Sequence, residues 1–186
     1  MSKPSIESAI ARGQGKTTTG APLEPLLIEA MLRFSVGAVI EVRTDQKIKA
    51  LQEFRLSISR HGGTISPTSF LFERKGQLVL AKAEGQFGSS EEVLEHVLDA
   101  GALELESDDQ GKLIIDTVPD QLSAVADQLS QSLKCTVHST SIVLVPSQHS
   151  IVYLEPAQMK EIESFVEQIE EDSRVEAVYF NAQRMS

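Results

Sequence analysis

Val36-Gly-Ala-Val-Ile-Glu-Val42, Arg43-Thr-Asp45 and then QKIKALQEFRLSISRHGG over residues 46–63 pass from one periodicity to another, and that change decides the fold class. The first run is β-branched and reads as a strand. Asp45 is placed to cap a helix in which Ile48, Leu51, Phe54 and Ile58 recur as a buried stripe. His61-Gly62-Gly63 ends that helix, because glycine accepts the left-handed conformation that helix ends need. A strand running directly into a helix predicts a mixed α and β fold.

Working outward, Leu26-Leu-Ile-Glu-Ala-Met-Leu32 precedes this stretch. Its composition suits a helix and its length a strand, and length favours the strand. Before it, residues 4–12 read as one short helix with Ile6, Ala9 and Ile10 on a face, ended by Gly13 and followed by a polar linker over 14–22. After Gly63, Phe70-Leu-Phe-Glu-Arg-Lys-Gly76 predicts a strand and a turn, and Gln77–Lys82 a second extended segment.

From residue 83 the pattern becomes α-β-β-α-β. Ser89-Ser-Glu-Glu92 is a capping box for a helix with Val93, Leu94, Val97 and Leu98 inward, closed at Gly101. Ala102–Glu106 and Lys112–Asp116 flank a hairpin turn over 107–111. Pro119 starts a helix whose Leu122, Val125, Ala126, Leu129 and Leu133 follow helical spacing, and 136–145 is strand-like. This block is self-contained, so 83–146 reads as a small inserted α+β domain. Pro156 then opens a helix lined by Met159, Ile162, Phe165, Val166 and Ile169, and 174–180 is a closing strand. That terminal pair is expected to rejoin the sheet begun near residue 23, making the first domain discontinuous.

The chain has 186 residues, 41% of them hydrophobic, enough for one compact domain or two small ones. No apolar run approaches the roughly 20 residues of a membrane-crossing helix, so no membrane span is expected. The start has neither a signal-peptide core nor an Arg-rich presequence. The single Cys135 excludes an intramolecular disulfide, fits a reducing compartment and reads as a small core residue. Net charge is −10, unevenly placed: residues 1–82 carry 12 Lys+Arg against 7 Asp+Glu, and 83–186 carry 5 against 20. Such asymmetry points to one face toward RNA and another toward solvent or a protein, the plainer alternative being a solvated acidic half.

Gly15-Lys16-Thr17 is not a phosphate loop, because Ile10 stands where the first glycine is required and no strand precedes it. His61, His96, His138 and His149 form no local pair at ligand spacing, so neither a metal nor another cofactor is expected. Asp108-Asp109 and Glu170-Glu171-Asp172 fall at a turn and a helix end, positions of hydrated surface rather than of paired catalytic acids. No catalytic residue is expected. The candidate nucleic-acid residues are Lys47, Lys49, Arg55, Arg60, Arg74 and Lys75, with the backbone-exposing turn His61, Gly62 and Gly63. Long cations beside a glycine turn suit contact with a phosphate backbone without base reading. Phe70 and Phe72 are expected to bury one face while Arg74 and Lys75 project. The plainer alternative is scattered surface cations over two core phenylalanines.

Four stretches together carry a resemblance. Ile6-Glu-Ser-Ala-Ile-Ala-Arg-Gly-Gln-Gly15, Glu41-Val-Arg-Thr-Asp45 with Ser59-Arg-His-Gly-Gly63, Ser69-Phe-Leu-Phe-Glu-Arg-Lys-Gly76, and Val175-Glu-Ala-Val-Tyr-Phe-Asn181 stand in order and spacing. They resemble the second and third domains of the YebC/PmpR family, the group that includes mitochondrial translational activators of cytochrome c oxidase. Thr64–Thr68 looks closer to fungal mitochondrial members than to bacterial ones. The resemblance implies a discontinuous α/β domain (21–82 plus 147–186), an inserted α+β, ferredoxin-like domain (83–146), and in 1–20 the remnant of a first, basic domain. It implies a non-enzymatic translation factor of the mitochondrial matrix that associates with ribosome, rRNA or mRNA. The alternatives are a DNA-binding transcriptional regulator and a protein-interaction module. Two departures stand out: the basic first domain is not seen, and Gln46-Lys-Ile-Lys49 replaces an Asn/Arg-rich run. Either the chain is a fragment, or its gene start is misplaced, or this member binds differently.

Overall fold

The structure, a computed structural model, describes residues 22–80, 90–107, 112–133 and 136–185. The expected helix at 4–12, the remnant segment 1–20, Gly15-Lys16-Thr17, Ser89 of the capping box, Asp108-Asp109 and Cys135 lie outside them. In chain order the strands and helices are β1 (Glu24–Met31), β2 (Gly37–Thr44), α1 (Lys47–Arg60), β3 (Thr64–Ile65), β4 (Phe72–Leu80) and α2 (Ser90–Asp99). There follow β5 (Glu104–Ser107), β6 (Leu113–Thr117), α3 (Leu122–Ser132), β7 (Val137–Pro146), β8 (Val152–Leu154), α4 (Pro156–Glu170), β9 (Val175–Phe180) and β10 (Ala182–Arg184).

The chain forms two compact units, 1–72 with 146–186, and 73–145. The first is built on a sheet of order β3-β1-β2-β9, so the closing strand does return to the opening hairpin. The stretch read from length as a strand is one: Ile28 lies opposite Ile40 and Ala30 opposite Ala38 in an antiparallel ladder. One face of this sheet carries Ile28, Ala30, Ala38, Ile40 and Val42, and both α1 and α4 bury their apolar stripes against it through Phe54, Ile58, Ile162, Phe165, Val166 and Ile169. Burying side chains of this size supplies about 1.5–3 kcal/mol apiece before entropy is counted. The expected stripe of α4 holds, with Met159 packed at its margin.

The stripe of α1 differs from expectation. Ala50, Phe54 and Ile58 are its buried residues, while Ile48 is 79% exposed and Leu51 is also in solvent. At roughly 100° per residue Ile48 stands about 120° round from Phe54, too far to share its contact. Asp45 does not cap the helix either: Gln46 is the N-cap, without a side-chain bond, and its N–H donates instead to Thr44 Oγ1 at 3.0 Å.

The second unit runs β4-α2-β5-β6-α3-β7 with strand order β5-β6-β4-β7, the ferredoxin-like split arrangement. Residues 72–80 form one strand rather than a strand, a turn and a second segment, since Gly76 through Leu80 pair with Thr117 through Leu113. Gly76 is there for closeness, as a Cβ would come within 3.1 Å of both Thr117 Cγ2 and Leu122 Cβ. That pairing moves the expected start of the second unit from residue 83 to Glu73. Its core joins Leu78, Leu80 and Ile115 to Val93 and Val97 of α2 and Val125, Ala126 and Leu129 of α3. Leu94 and Leu98, expected inward, are exposed because Val93, Val97 and Ala100 occupy the inner side of α2.

Candidate nucleic-acid interface

The fold redistributes charge. Residues 146–186 bring eight carboxylates into the first unit, which therefore carries 12 Lys+Arg against 14 Asp+Glu, a net of −2. The second unit carries 5 against 13, a net of −8, completing the −10 of the chain. The positive character of residues 1–82 does not survive as a cationic lobe; what remains of it is local.

Two of the nine candidate residues are matched by carboxylates. Lys47 Nζ lies 2.7 Å from Glu24, whose own carboxyl is pulled below its usual range by that bond. Lys75 Nζ lies 3.1 Å from both Glu104 and Asp116 and is largely covered. Burial alone would pull its ammonium down, but the bonds to the two carboxylates outweigh this and push it up. Lys75 therefore does not project, because a partly buried ammonium is held where it is paired. It lies on the sheet face opposite the core residues Leu78 and Leu80, with Gln77 bonded to Asp116 at 3.3 Å. Among the described residues of β4, β5 and β6 that face offers Glu73, Glu104, Glu106 and Asp116 against Lys75 and no aromatic side chain, unlike a sheet on which bases stack.

Lys49, Arg55 and Arg60 of α1, and Arg74 of β4, are exposed and in no ion pair with a described residue. Helical geometry places Lys49 and Arg60 about 20° apart and about 16 Å along the axis, with Arg55 about 120° from Lys49. Between them stand Ile48, Gln52, Leu56 and Ser59. The one carboxylate of α1, Glu53, stands about 40° from Lys49 and about 20° from Arg60 and is held by Arg174 Nη1 at 2.7 Å. Arg174 also binds Asp172 and lies 5.4 Å over the Phe54 ring, so Asp172 is engaged rather than simply hydrated. The outer side of α1 is thus cationic, with its single carboxylate already engaged by Arg174, and is studded with two exposed aliphatic residues.

The glycine turn has a structural task. Gly62 has φ +75°, its N–H donates to Ser59 O at 3.0 Å, and Gly63 N–H donates to Ile58 O at 2.9 Å. This is the Schellman closure of a helix, and it turns both amides inward rather than toward a ligand. A Cβ on Gly63 would meet Ile58 Cγ2 at 2.9 Å and Met31 O at 3.0 Å; one on Gly62 would meet the Arg33 stem at 3.1 Å. His61 tilts against Phe165, ring centroids 4.7 Å apart, with Nδ1 2.9 Å from Ser57 O.

Sequence reading missed Arg33. It pairs with Glu161 of α4 and its guanidinium lies 5.0 Å over the Phe34 ring. Phe34 and Ser35 are left-handed (φ 58° and 60°), the geometry of a tight hairpin turn usually built from Asn-Gly. Nothing in a Phe-Ser pair signals that turn. Among the described residues no three His, Cys, Asp or Glu side chains cluster to hold a metal, and no helix is long and apolar enough to cross a membrane.

Comparison with known proteins agrees with this architecture. A protein described as a conserved hypothetical protein of Aquifex aeolicus shares the fold, with a TM-score of 0.74 and 24% identity over 88% of this chain and 66% of that one. A probable transcriptional regulatory protein of Clostridioides difficile is 29% identical over 184 residues, 97% of this chain and 74% of the relative. One of the same description from an Arthrobacter species is 36% identical over 181 residues, 95% of this chain and 69% of the relative. Residues 23–182 match the profile described as the TACO1/YebC second and third domain. The chain therefore belongs to the TACO1/YebC family.

Proposed function

We propose that this chain is a non-enzymatic regulator of gene expression that associates with RNA of the translation apparatus through the outer side of α1. The observation that carries the reading is that Lys49, Arg55 and Arg60 are exposed on one helix and in no ion pair with a described residue, with the helix's one carboxylate, Glu53, held by Arg174, while the chain as a whole is at −10. In an anionic protein, free cations gathered on one element are where a polyphosphate can approach. The mitochondrial matrix is part of this proposal, on the likeness to mitochondrial members. Duplex DNA is the second reading, favoured by the transcriptional names that the bacterial relatives carry.

Affinity for single-stranded RNA, ribosomes and duplex DNA, measured at one salt concentration and then across a salt series, tests the proposal. RNA or ribosome binding that weakens steeply with salt supports it. Binding to duplex DNA alone selects the second reading, and binding to no nucleic acid removes both.

A further inference from the structure

The turn Ser69–Leu71 is fastened on three sides and leaves its middle side chain in solvent. Glu29 Oε2 accepts the Thr68 N–H at 2.7 Å and the Ser69 N–H at 2.8 Å. The fully buried Thr68 donates its hydroxyl to Ala38 O at 2.8 Å. Leu71 O accepts the Ser147 N–H at 3.0 Å and the hydroxyls of Ser147 at 3.2 Å and Ser150 at 2.6 Å. Leu71 itself presses on Gly37, where a Cβ would come within 2.4 Å of its Cδ1. Between these fixed neighbours Phe70 is 75% exposed.

A turn gains no stability from an exposed phenyl ring, and hydration of that ring is unfavourable. A rigid mounting, by contrast, lowers the ordering cost of whatever contact the ring makes. The turn meets the β1–β2 hairpin at Gly37, and the α1 cap that follows Arg60 meets the same hairpin at Arg33. The ring and the cationic end of α1 therefore belong to one end of the first unit.

We propose that Phe70 is a fixed stacking platform for an unpaired base of single-stranded nucleic acid. The inference rests on the nucleic-acid reading above and narrows it to single strands. A protein partner would call for a contiguous apolar patch. Around Phe70 the chain instead presents Ser66, Pro67 and Ser69, and the apolar Leu71 and Phe72 turn inward. A base needs only one ring face, whatever its sequence.

The chain has no tryptophan, so Phe70→Trp installs a single reporter in it. A short mixed-sequence single-stranded RNA is expected to quench its emission, and a blunt RNA duplex is not. Phe70→Ala should weaken single-strand binding roughly tenfold with the salt slope unchanged, since no ionic contact is lost. Phe70→Tyr should match the wild type and Phe70→Leu should match Phe70→Ala, all with unaltered thermal midpoints. If Phe70→Leu binds RNA as the wild type does, or if the Phe70→Trp emission is unmoved while RNA binds in a salt-dependent way, the platform is wrong and the α1 reading stands. If the wild type binds no nucleic acid, both fall.

Discussion

Asn181 and Gly37 are joined by two hydrogen bonds: the Gly37 N–H donates to Asn181 Oδ1 at 2.7 Å, and the Asn181 N–H donates to Gly37 O at 3.1 Å. The Asn181 side-chain amide also donates to Ser150 O, and the Asn181 backbone carbonyl accepts the Val152 N–H at 2.8 Å. Side chain and backbone of this one residue, 2% exposed, thus tie the hairpin, at the end of β9, to the return segment, whose β8 pairs with β10 in a sheet of its own. Asn181→Ala leaves the Gly37 N–H buried without a partner and should cost about 1–3 kcal/mol, read as a lower urea midpoint with an unchanged m value.

The corrected stripe of α1 makes an unequal pair. Phe54→Ala should cost about 3–5 kcal/mol, the range for deleting a buried aromatic side chain. Ile48→Ser, at a solvent-facing site, should stay within about 0.5 kcal/mol. Chemical denaturation of both variants checks it, and equal losses would reinstate the stripe expected from sequence.

Gly62→Ala places a Cβ at φ +75° against the Arg33 stem and should cost about 1–2 kcal/mol. Gly63→Ala should cost more, because one of the atoms it meets, Met31 O, is backbone and cannot rotate away. Thermal midpoints should fall in that order, with RNA affinity unchanged where the variants remain folded.

The carboxyl of Glu29 is held below the ordinary value of 4.5, chiefly by the Ser69 N–H and further by that of Thr68, against the opposing effect of burial. A lowered folded-state value means that the ionised form is the one the fold stabilises. That contribution is present above the unfolded value and is lost as pH falls through the folded one. The stability gap between wild type and Glu29→Gln should be full at neutral pH and close in acid, as measured by urea titrations across that range.

For the interface, Lys49→Glu, Arg55→Glu and Arg60→Glu should each reduce the log–log salt slope of RNA binding by up to about one unit. Lys47→Ala and Lys75→Ala should leave the slope unchanged, since Glu24, Glu104 and Asp116 already occupy those charges. A slope indifferent to all five would remove α1 as the contact.

Much of the fold was legible because its signals are local. Gly62 and Gly101 end their helices with positive φ, β5 and β6 pair across the expected turn, and Pro156 opens α4. The misses came where partners distant in sequence decide. Gly76 reads as a turn by itself and becomes a strand residue because β6 lies beside it. Phe70, grouped with Phe72 in sequence, faces solvent because Glu29, Ser147 and Ser150 hold the turn.

By itself the sequence determined most element types, the glycine-closed helix ends and the family likeness, all of which depend on backbone preferences within a few residues or on motifs in register. Only the tertiary structure decided which cations remain free. Charge pairing and burial depend on what the returning chain brings alongside, and here residues 146–186 supplied carboxylates to the first unit, of which, among the described residues, none pairs with Lys49, Arg55 or Arg60.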